Sequence, residues 1–129
     1  MDYWIVKIDS LGNIVWQNTI GGSDYDQLYS IVLSPDGGYF LGGWSLSDTS
    51  GDKTENSNGL WDIWVVKIDS LGNIVWQNTI GGSDDDNLSA ITALPDGGYI
   101  LGGTSESNIS GDKTDNRNVV FDFCVIKID

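Results

Sequence analysis

VKIDSLGNIVWQNTIGGSD occupies residues 6–24 and recurs letter for letter at residues 66–84. A third copy begins at residues 122–129, DFCVIKID, which lie 60 positions after DIWVVKID at residues 62–69. Repetition at a fixed spacing predicts one supersecondary unit that buries its faces against copies of itself. We therefore divide the single domain, residues 1–129, into repeat 1 (2–61), repeat 2 (62–121) and the start of a third repeat (122–129).

Each repeat contains four short segments with strand character, separated by turn signals rich in Gly, Asn and Pro. No apolar stripe of helical period persists over a helical length, so the sequence predicts an all-β fold. The longest polar segment, 46–58, and its counterpart, 106–118, share the letters SGDKT and are predicted to be surface loops. In repeat 1 the predicted strands are 2–8, 14–20, 28–33 and 39–45.

Four antiparallel strands that recur at this spacing predict a blade of a β-propeller. We expect residues 39–45 to be the innermost strand A, because Gly42-Gly43 would permit a close approach near the axis. A β-solenoid and a β-sandwich are the alternatives, but solenoid coils are usually shorter and a sandwich would not repeat so literally. Strands B, C and D would then follow at 62–69, 74–80 and 88–94.

Motifs in both repeats carry a family resemblance. In the second copy they are DIWVVKID at 62–69, GNIVW at 72–76, GGSDDD at 81–86 and DGGYILGG at 96–103. In this order they resemble the repeats of bacterial secreted and cell-surface β-propellers, the SBBP-type repeats. The resemblance implies a propeller fold, a secreted or cell-surface location, frequent membership of large multidomain proteins, and no defining catalytic residues.

Two blades cannot close a ring, and open sheet edges are prone to aggregate. Because propellers have about four to eight blades, we expect a homo-oligomer, with a trimer of six blades or a tetramer of eight as the leading forms. The alternative is that the chain is an excerpt of a larger extracellular propeller protein.

Composition narrows the function classes. Nineteen acidic and six basic residues give a formal net charge of −13, so a nucleic-acid partner is not expected. No apolar run approaches the ~18 residues of a membrane span, and we expect no signal peptide within this chain. The absence of histidine excludes Ser–His and Cys–His catalysis and the usual zinc sites. Cys124, the single cysteine, takes the repeat position of Trp4 and Trp64 and is expected to be packed.

Asp24 and Asp26, with their repeat partners Asp84 and Asp86, are the candidate metal ligands. Propeller connectivity would place their loop on the same face as the long SGDKT loop and its acidic residues. Calcium takes about six to eight oxygen ligands, which clustered loop carboxylates can supply. Aspartate caps turns more commonly, however, and the spacing does not match an EF-hand. Calcium is therefore a hypothesis, and no other cofactor is expected.

Trp44 is the candidate ligand-binding residue. Its repeat partner is Thr104, so the fold does not require tryptophan in both copies, whereas Trp4, Trp16, Trp64 and Trp76 recur in register. An exposed ring beside polar groups is typical of sugar sites, although packing between blades would also explain it.

The expected function is a non-enzymatic scaffold or interaction module whose first partner is itself. A carbohydrate-binding, lectin-like propeller is the alternative, with a glycan or a protein as its ligand. Glycoside cleavage by paired carboxylates is the least favoured function, because nothing in the sequence marks one carboxylate as buried.

Overall fold

A computed structural model describes all residues, 1–129, and contains strands but no helix, so no helix that could cross a membrane is present. The nine strands are β1 (Tyr3–Ile8), β2 (Ile14–Ile20), β3 (Asp26–Leu33), β4 (Tyr39–Ser45), β5 (Asp62–Ile68), β6 (Ile74–Ile80), β7 (Asp86–Ala93), β8 (Tyr99–Ser105) and β9 (Asp122–Ile128).

The strands form three antiparallel sheets, and the predicted all-β class is confirmed. Sheet 1 consists of β1-β2, sheet 2 of β3-β4-β5-β6 and sheet 3 of β7-β8-β9, each in this spatial order. One complete four-stranded sheet thus lies between two incomplete ones. The three sheets of a single chain do not close a ring.

The predicted grouping of strands was wrong. Residues 39–45 are not the first strand of their sheet, because β3 precedes them as the edge strand, and residues 88–94 belong with β8 rather than with β6. The cause is the turn between β3 and β4. Ser34 N–H donates to Gly38 O at 2.9 Å, and Gly37 adopts a φ of 84° that glycine tolerates, so β3 and β4 fold as a hairpin.

Strand register repeats as faithfully as the sequence does. The β1–β2 pair aligns Trp4 with Thr19, and the β5–β6 pair aligns Trp64 with Thr79. The β3–β4 pair has the same register and the same bulge as β7–β8, and β4–β5 matches β8–β9. Sheets 1 and 3 are therefore incomplete versions of sheet 2.

The sheets pack against one another through two apolar cores. The core between sheets 1 and 2 consists of Tyr3, Ile5, Ile20, Leu41, Trp64, Val66 and Ile68. The core between sheets 2 and 3 consists of Phe40, Ile63, Val65, Leu88, Ile91, Tyr99 and Leu101, with Cys124 packed against it as expected. Burial of these side chains is the main stabilising contribution to the fold.

Gly42 lies at a close approach, as the glycine pair predicted, but for a different reason. A Cβ at Gly42 would lie 2.6 Å from side-chain carbons of Leu88 and Ile91 on β7. Sheet 3, rather than a crowded central axis, therefore requires glycine at this position.

Candidate functional site

The GGSD loop and the long SGDKT loop contact each other, and the prediction that they share a face is confirmed. Asp52 N–H donates to Gly21 O at 2.8 Å, while Gly21 N–H donates to Asp52 Oδ2 at 3.2 Å. Repeat 2 makes the same pair of bonds between Asp112 and Gly81. These loops form one end of the molecule, which we call the loop end.

Asp26 and Asp86 are buried beneath the two loops and are engaged by them. Asp26 Oδ1 accepts from Ser45 Oγ at 2.5 Å, and its Oδ2 accepts from Ser47 Oγ at 3.0 Å and from Gly22 N–H at 2.6 Å. Asp86 Oδ2 accepts two equivalent bonds in repeat 2, from Ser107 Oγ at 2.8 Å and from Gly82 N–H at 2.6 Å. Both carboxylates therefore order the loops, which is a structural role.

Asp24 and Asp84 do not lie beneath the loops with Asp26 and Asp86. Asp24 is exposed and accepts from Tyr25 N–H, whereas Asp84 is half-buried and accepts from a neighbouring serine. No group of three or more Asp, Glu, His or Cys side chains is arranged to hold a metal ion. Calcium binding at these four residues stays an untested prediction.

A buried lysine at the loop end was not predicted. Lys53 is almost wholly buried and donates to Ser47 O at 2.5 Å. Burial lowers the pKa of Lys53, while the negative charges of Asp62 and Asp26 oppose that shift. The repeat provides a lysine in both long loops, but the letters alone give no sign that it turns inward.

Asp62 is fully buried and incompletely satisfied. Its Oδ2 accepts from Asn58 N–H at 2.5 Å, but its Oδ1 has no hydrogen-bond partner. Burial raises the pKa of the Asp62 carboxyl to about 6; the Asp86 carboxylate adds to the rise, and the charge of Lys53 opposes it. Gly81 is required beside it, because a Cβ there would lie 2.0 Å from Asp62 Oδ1.

Trp44 belongs to a connected set of rings at the loop end, which we call the aromatic cluster: Tyr25, Tyr29, Trp44 and Trp61. The ring centroids of Tyr29 and Trp44 are 5.3 Å apart, those of Trp44 and Trp61 are 6.4 Å apart, and those of Trp61 and Tyr25 are 6.3 Å apart. Trp44 is half-buried, and the two tyrosines are 54% and 55% exposed. The role of Trp44 in ligand binding stays a prediction.

Sequence reasoning missed three of these four rings, although a signal for them was present. The residues 60 positions beyond Tyr25, Tyr29 and Trp61 are Asp85, Ser89 and Phe121. Departures from an otherwise repeated sequence mark positions that the shared fold does not dictate. A comparison of every repeat pair, rather than of tryptophans alone, would have marked Tyr25, Tyr29 and Trp61 as well as Trp44.

A pocket of about 380 Å³ opens beside the free edge of β9. Its apolar wall includes Phe123 and Val125 of β9, and its polar wall includes Asp112, Thr114 and Asp115 of the second long loop. In sheet 2, the corresponding loop lies against a fourth strand, β6. The pocket therefore marks the place of the strand that sheet 3 lacks.

Comparison with known proteins gives a distant similarity. The chain is 24% identical over 115 residues to the regulatory protein FlaEY of Caulobacter vibrioides, and the match covers 85% of this chain. The matched region spans only 12% of the length of FlaEY. No protein-family model matches the sequence.

Proposed function

We propose that this chain is a non-enzymatic repeat module that assembles with copies of itself into a closed ring of sheets, a β-propeller. In this assembly the β7–β8 hairpin of one copy completes the β1–β2 sheet of the next. Each copy then contributes one complete sheet of its own and half of each of two further sheets, one shared with each neighbour. The resemblance to SBBP-type repeats supports the same architecture.

The proposal rests mainly on the contact between Ile91 and Gly42, which is made within the chain but has no counterpart at the two outer sheets. Ile91 is 8% exposed because it packs on Gly42, whereas its repeat partner Ile31 is 48% exposed. Gly102, the repeat partner of Gly42, has open space where a Cβ would point. Gly102 of one copy and Ile31 of the next each lack the surface that the other supplies.

Loop contacts support the same pairing. In sheet 2, Thr54 N–H donates to Gln77 Oε1 at 3.2 Å, and Thr79 N–H donates to Glu55 Oε2 at 2.7 Å. The second long loop has no β6-type strand to contact, and the 380 Å³ pocket lies there instead. Strand β2 has the sequence of β6, IVWQNTI, so β2 of a second copy would restore these bonds.

The free edge of β1 supplies the third support. In sheet 2, β5 lies between β4 and β6, but β1 has β2 on one side and no strand on the other. Trp4 and Ile8 are exposed on β1, whereas their repeat partners Trp64 and Ile68 are fully buried. Pairing with β8 of another copy would bury them and satisfy the backbone groups of the open edge.

In the ring, β1 of the incoming copy takes the place of β9 on β8. Both strands are copies of β5, and β8–β9 already has the register of β4–β5. At the position of Trp64, β1 carries Trp4 and β9 carries the smaller Cys124. The larger apolar side chain favours β1, because it buries more surface against the second core.

The test is the mass of the full chain in solution over a range of concentrations, by light scattering coupled to size exclusion and by native mass spectrometry. We expect a single discrete multiple of the 14.0 kDa chain mass, with a trimer or a tetramer as the leading forms. A chain that stays at 14.0 kDa at high concentration, or that grows without limit, would contradict closure.

Trp4→Asp is the decisive variant, with Leu11→Asp as its matched control. Both side chains are exposed, but Trp4 lies on the open face of sheet 1 and Leu11 lies in the β1–β2 turn. We expect Trp4→Asp to remain monomeric and folded, because it places a charge in the new core. Leu11→Asp should assemble as the unmodified chain does.

A second candidate function, as a segment of a longer repeat array, is favoured by the partial coverage of FlaEY, in which the matched region is 12% of the whole length. The open edges would then be completed by further repeats of one long polypeptide. The chain in isolation would assemble weakly or not at all, and a chain extended by one more copy of residues 62–121 would form a larger monomer. Mass measurement of both chains separates the two functions.

A further inference from the structure

The aromatic cluster occurs only in the first repeat, although the backbone beneath it is the same in both. Gln27 pairs with Trp44 on β3–β4, and Asn87 pairs with Thr104 at the same register on β7–β8. Position 89 is serine where position 29 is tyrosine. Because β7 and β8 pair in the same register with small polar side chains at these positions, pairing of the strands does not require the rings.

The cluster is open to solvent and bordered by negative charge. Tyr25 and Tyr29 are more than half exposed. Asp24 immediately precedes Tyr25 and is exposed, and Asp85 Oδ1 accepts from the backbone N–H of Trp61 at 3.3 Å. Aromatic faces and carboxylates thus lie side by side.

The chain does not place a cation of its own on these rings. Its single cation–ring contact is Lys7 over Tyr39, at 5.7 Å from the ring centroid. Lys53, the lysine of the neighbouring long loop, is buried and bonded to Ser47 O. The N-terminal ammonium of Met1 donates to the backbone oxygen of Asp24 at 3.2 Å and pairs with the carboxylate of Asp2, so the carboxylates of Asp24 and Asp85 form no ion pair. The aromatic faces beside these carboxylates are left for a group from outside.

We propose that the aromatic cluster binds an arginine side chain of a partner protein. A guanidinium group stacks on the faces of tyrosine and tryptophan, and its N–H groups pair with carboxylates in the plane of the stack. The net charge of −13 favours the approach of a basic segment over long range. None of its four rings lies on β1 or β8, the two strands that would pair between copies in the ring.

Ring orientation favours the guanidinium over a sugar chain. Trp44 and Trp61 are inclined at 79° to each other, and Tyr25 and Trp61 at 58°. The rings therefore do not form one flat surface along which successive sugar rings could lie. Inclined rings can instead contact a compact cation on more than one of its sides.

The test uses the full chain and the peptide acetyl-Gly-Arg-Gly-Arg-Gly-amide, with citrulline in place of both arginines as the neutral control. Binding is followed by NMR through the indole N–H signals of Trp44 and Trp61, assigned with Trp44→Thr and Trp61→Phe. We expect the arginine peptide to shift both signals in a saturable manner and the citrulline peptide to leave them unchanged. Equal binding of the two peptides, or no shift with either, would overturn the proposal.

The second repeat provides matched variants, because its residues are already compatible with this backbone. Tyr29→Ser with Trp44→Thr should weaken arginine-peptide binding about tenfold or more. Ser89→Tyr with Thr104→Trp is the reciprocal change and should add affinity at a second site. Xylohexaose is the third arm. If it shifts the same indole signals while the arginine peptide does not, the cluster is a sugar site and the proposal is wrong.

Discussion

At the scale of single residues, the buried carboxyl of Asp62 destabilises the folded state when it ionises. Its carboxyl is fully buried with one oxygen unpartnered, and burial raises its pKa to about 6. Because the folded pKa lies above the unfolded value, the stabilising contribution is complete below about pH 4 and is lost as the pH rises through about 6. At neutral pH the ionised carboxylate, close to Asp86, opposes folding.

Asp62→Asn should therefore stabilise the protein at pH 7.5, by about 1–3 kcal/mol, because the amide stays neutral where the carboxylate must ionise. The advantage should disappear near pH 4. Urea denaturation at a series of pH values measures it. Asp2→Asn, at the same repeat position but exposed, should change little. A loss of stability at pH 7.5 would mean that the charge of Asp62 is needed for its bond to Asn58.

At the scale of single elements, the β3–β4 turn is held more firmly than its copy between β7 and β8. Asp36 accepts from Gly38 N–H at 2.9 Å and from the buried Lys67 at 3.0 and 2.8 Å. The bond to Lys67 holds the pKa of Asp36 at about 2. Asp96 keeps the turn bond, but Lys127 is bonded to Asp129 instead.

Asp36→Asn should lower the urea midpoint at pH 7 more than Asp96→Asn does, because only the first change leaves a buried lysine without its counter-ion. As the pH falls from about 4 through about 2, the two variants should converge, since protonation removes the same charge from Asp36. Equal midpoints at pH 7 would show that Lys67 finds another acceptor.

Sheet packing provides a second comparison between elements. Gly42→Ala should cost about 1 kcal/mol or more, because the new methyl group would meet Leu88 and Ile91 in the core. Gly102→Ala should be neutral in the isolated chain, where nothing lies near. Thermal unfolding of dilute protein measures both. In the proposed ring, Gly102 faces Ile31 of the next copy, so Gly102→Ala should weaken assembly while sparing the monomer.

The whole molecule is predicted to exist in two competing arrangements, because β9 occupies the edge of β8 that β1 of another copy would take. Ile126→Asp weakens the packing of β9 against the second core without altering β1. We expect it to increase the assembled fraction at a given concentration, measured by light scattering. Reduced assembly would show that β9 remains on β8 within the ring.

Sequence reasoning recovered the strands well, because each is bounded by glycine and asparagine turns and is written twice. Residues 14–20 and 39–45 were predicted with the observed bounds. It grouped the strands wrongly because the loops before and after β7 are both short. Both loops carry turn residues, and the structure shows that the second one closes the hairpin, with Leu94 N–H donating to Gly98 O at 2.7 Å and Gly97 at a φ of 94°.

The candidate site was only partly predictable. Trp44 was identified because it departs from its repeat partner, but its neighbours depend on backbone geometry. Tyr29 lies in the bulge where the β3–β4 register shifts, and an extra residue there turns away from the regular alternation of faces. A buried, half-satisfied carboxyl such as Asp62 also cannot be told from its exposed copy, Asp2, by the letters around it.

The open surfaces at the two ends of the chain are unlike: Trp4 and Ile8 on one, Phe123 and Gly102 on the other. In the proposed ring, association would therefore be head-to-tail, and every added subunit would present the same unpaired surface as the one before. A small fraction of Trp4→Asp chains, which could bind a neighbour on one side only, would inhibit ring closure. Such chains would leave truncated arcs in place of complete circles, in proportion to their share of the mixture.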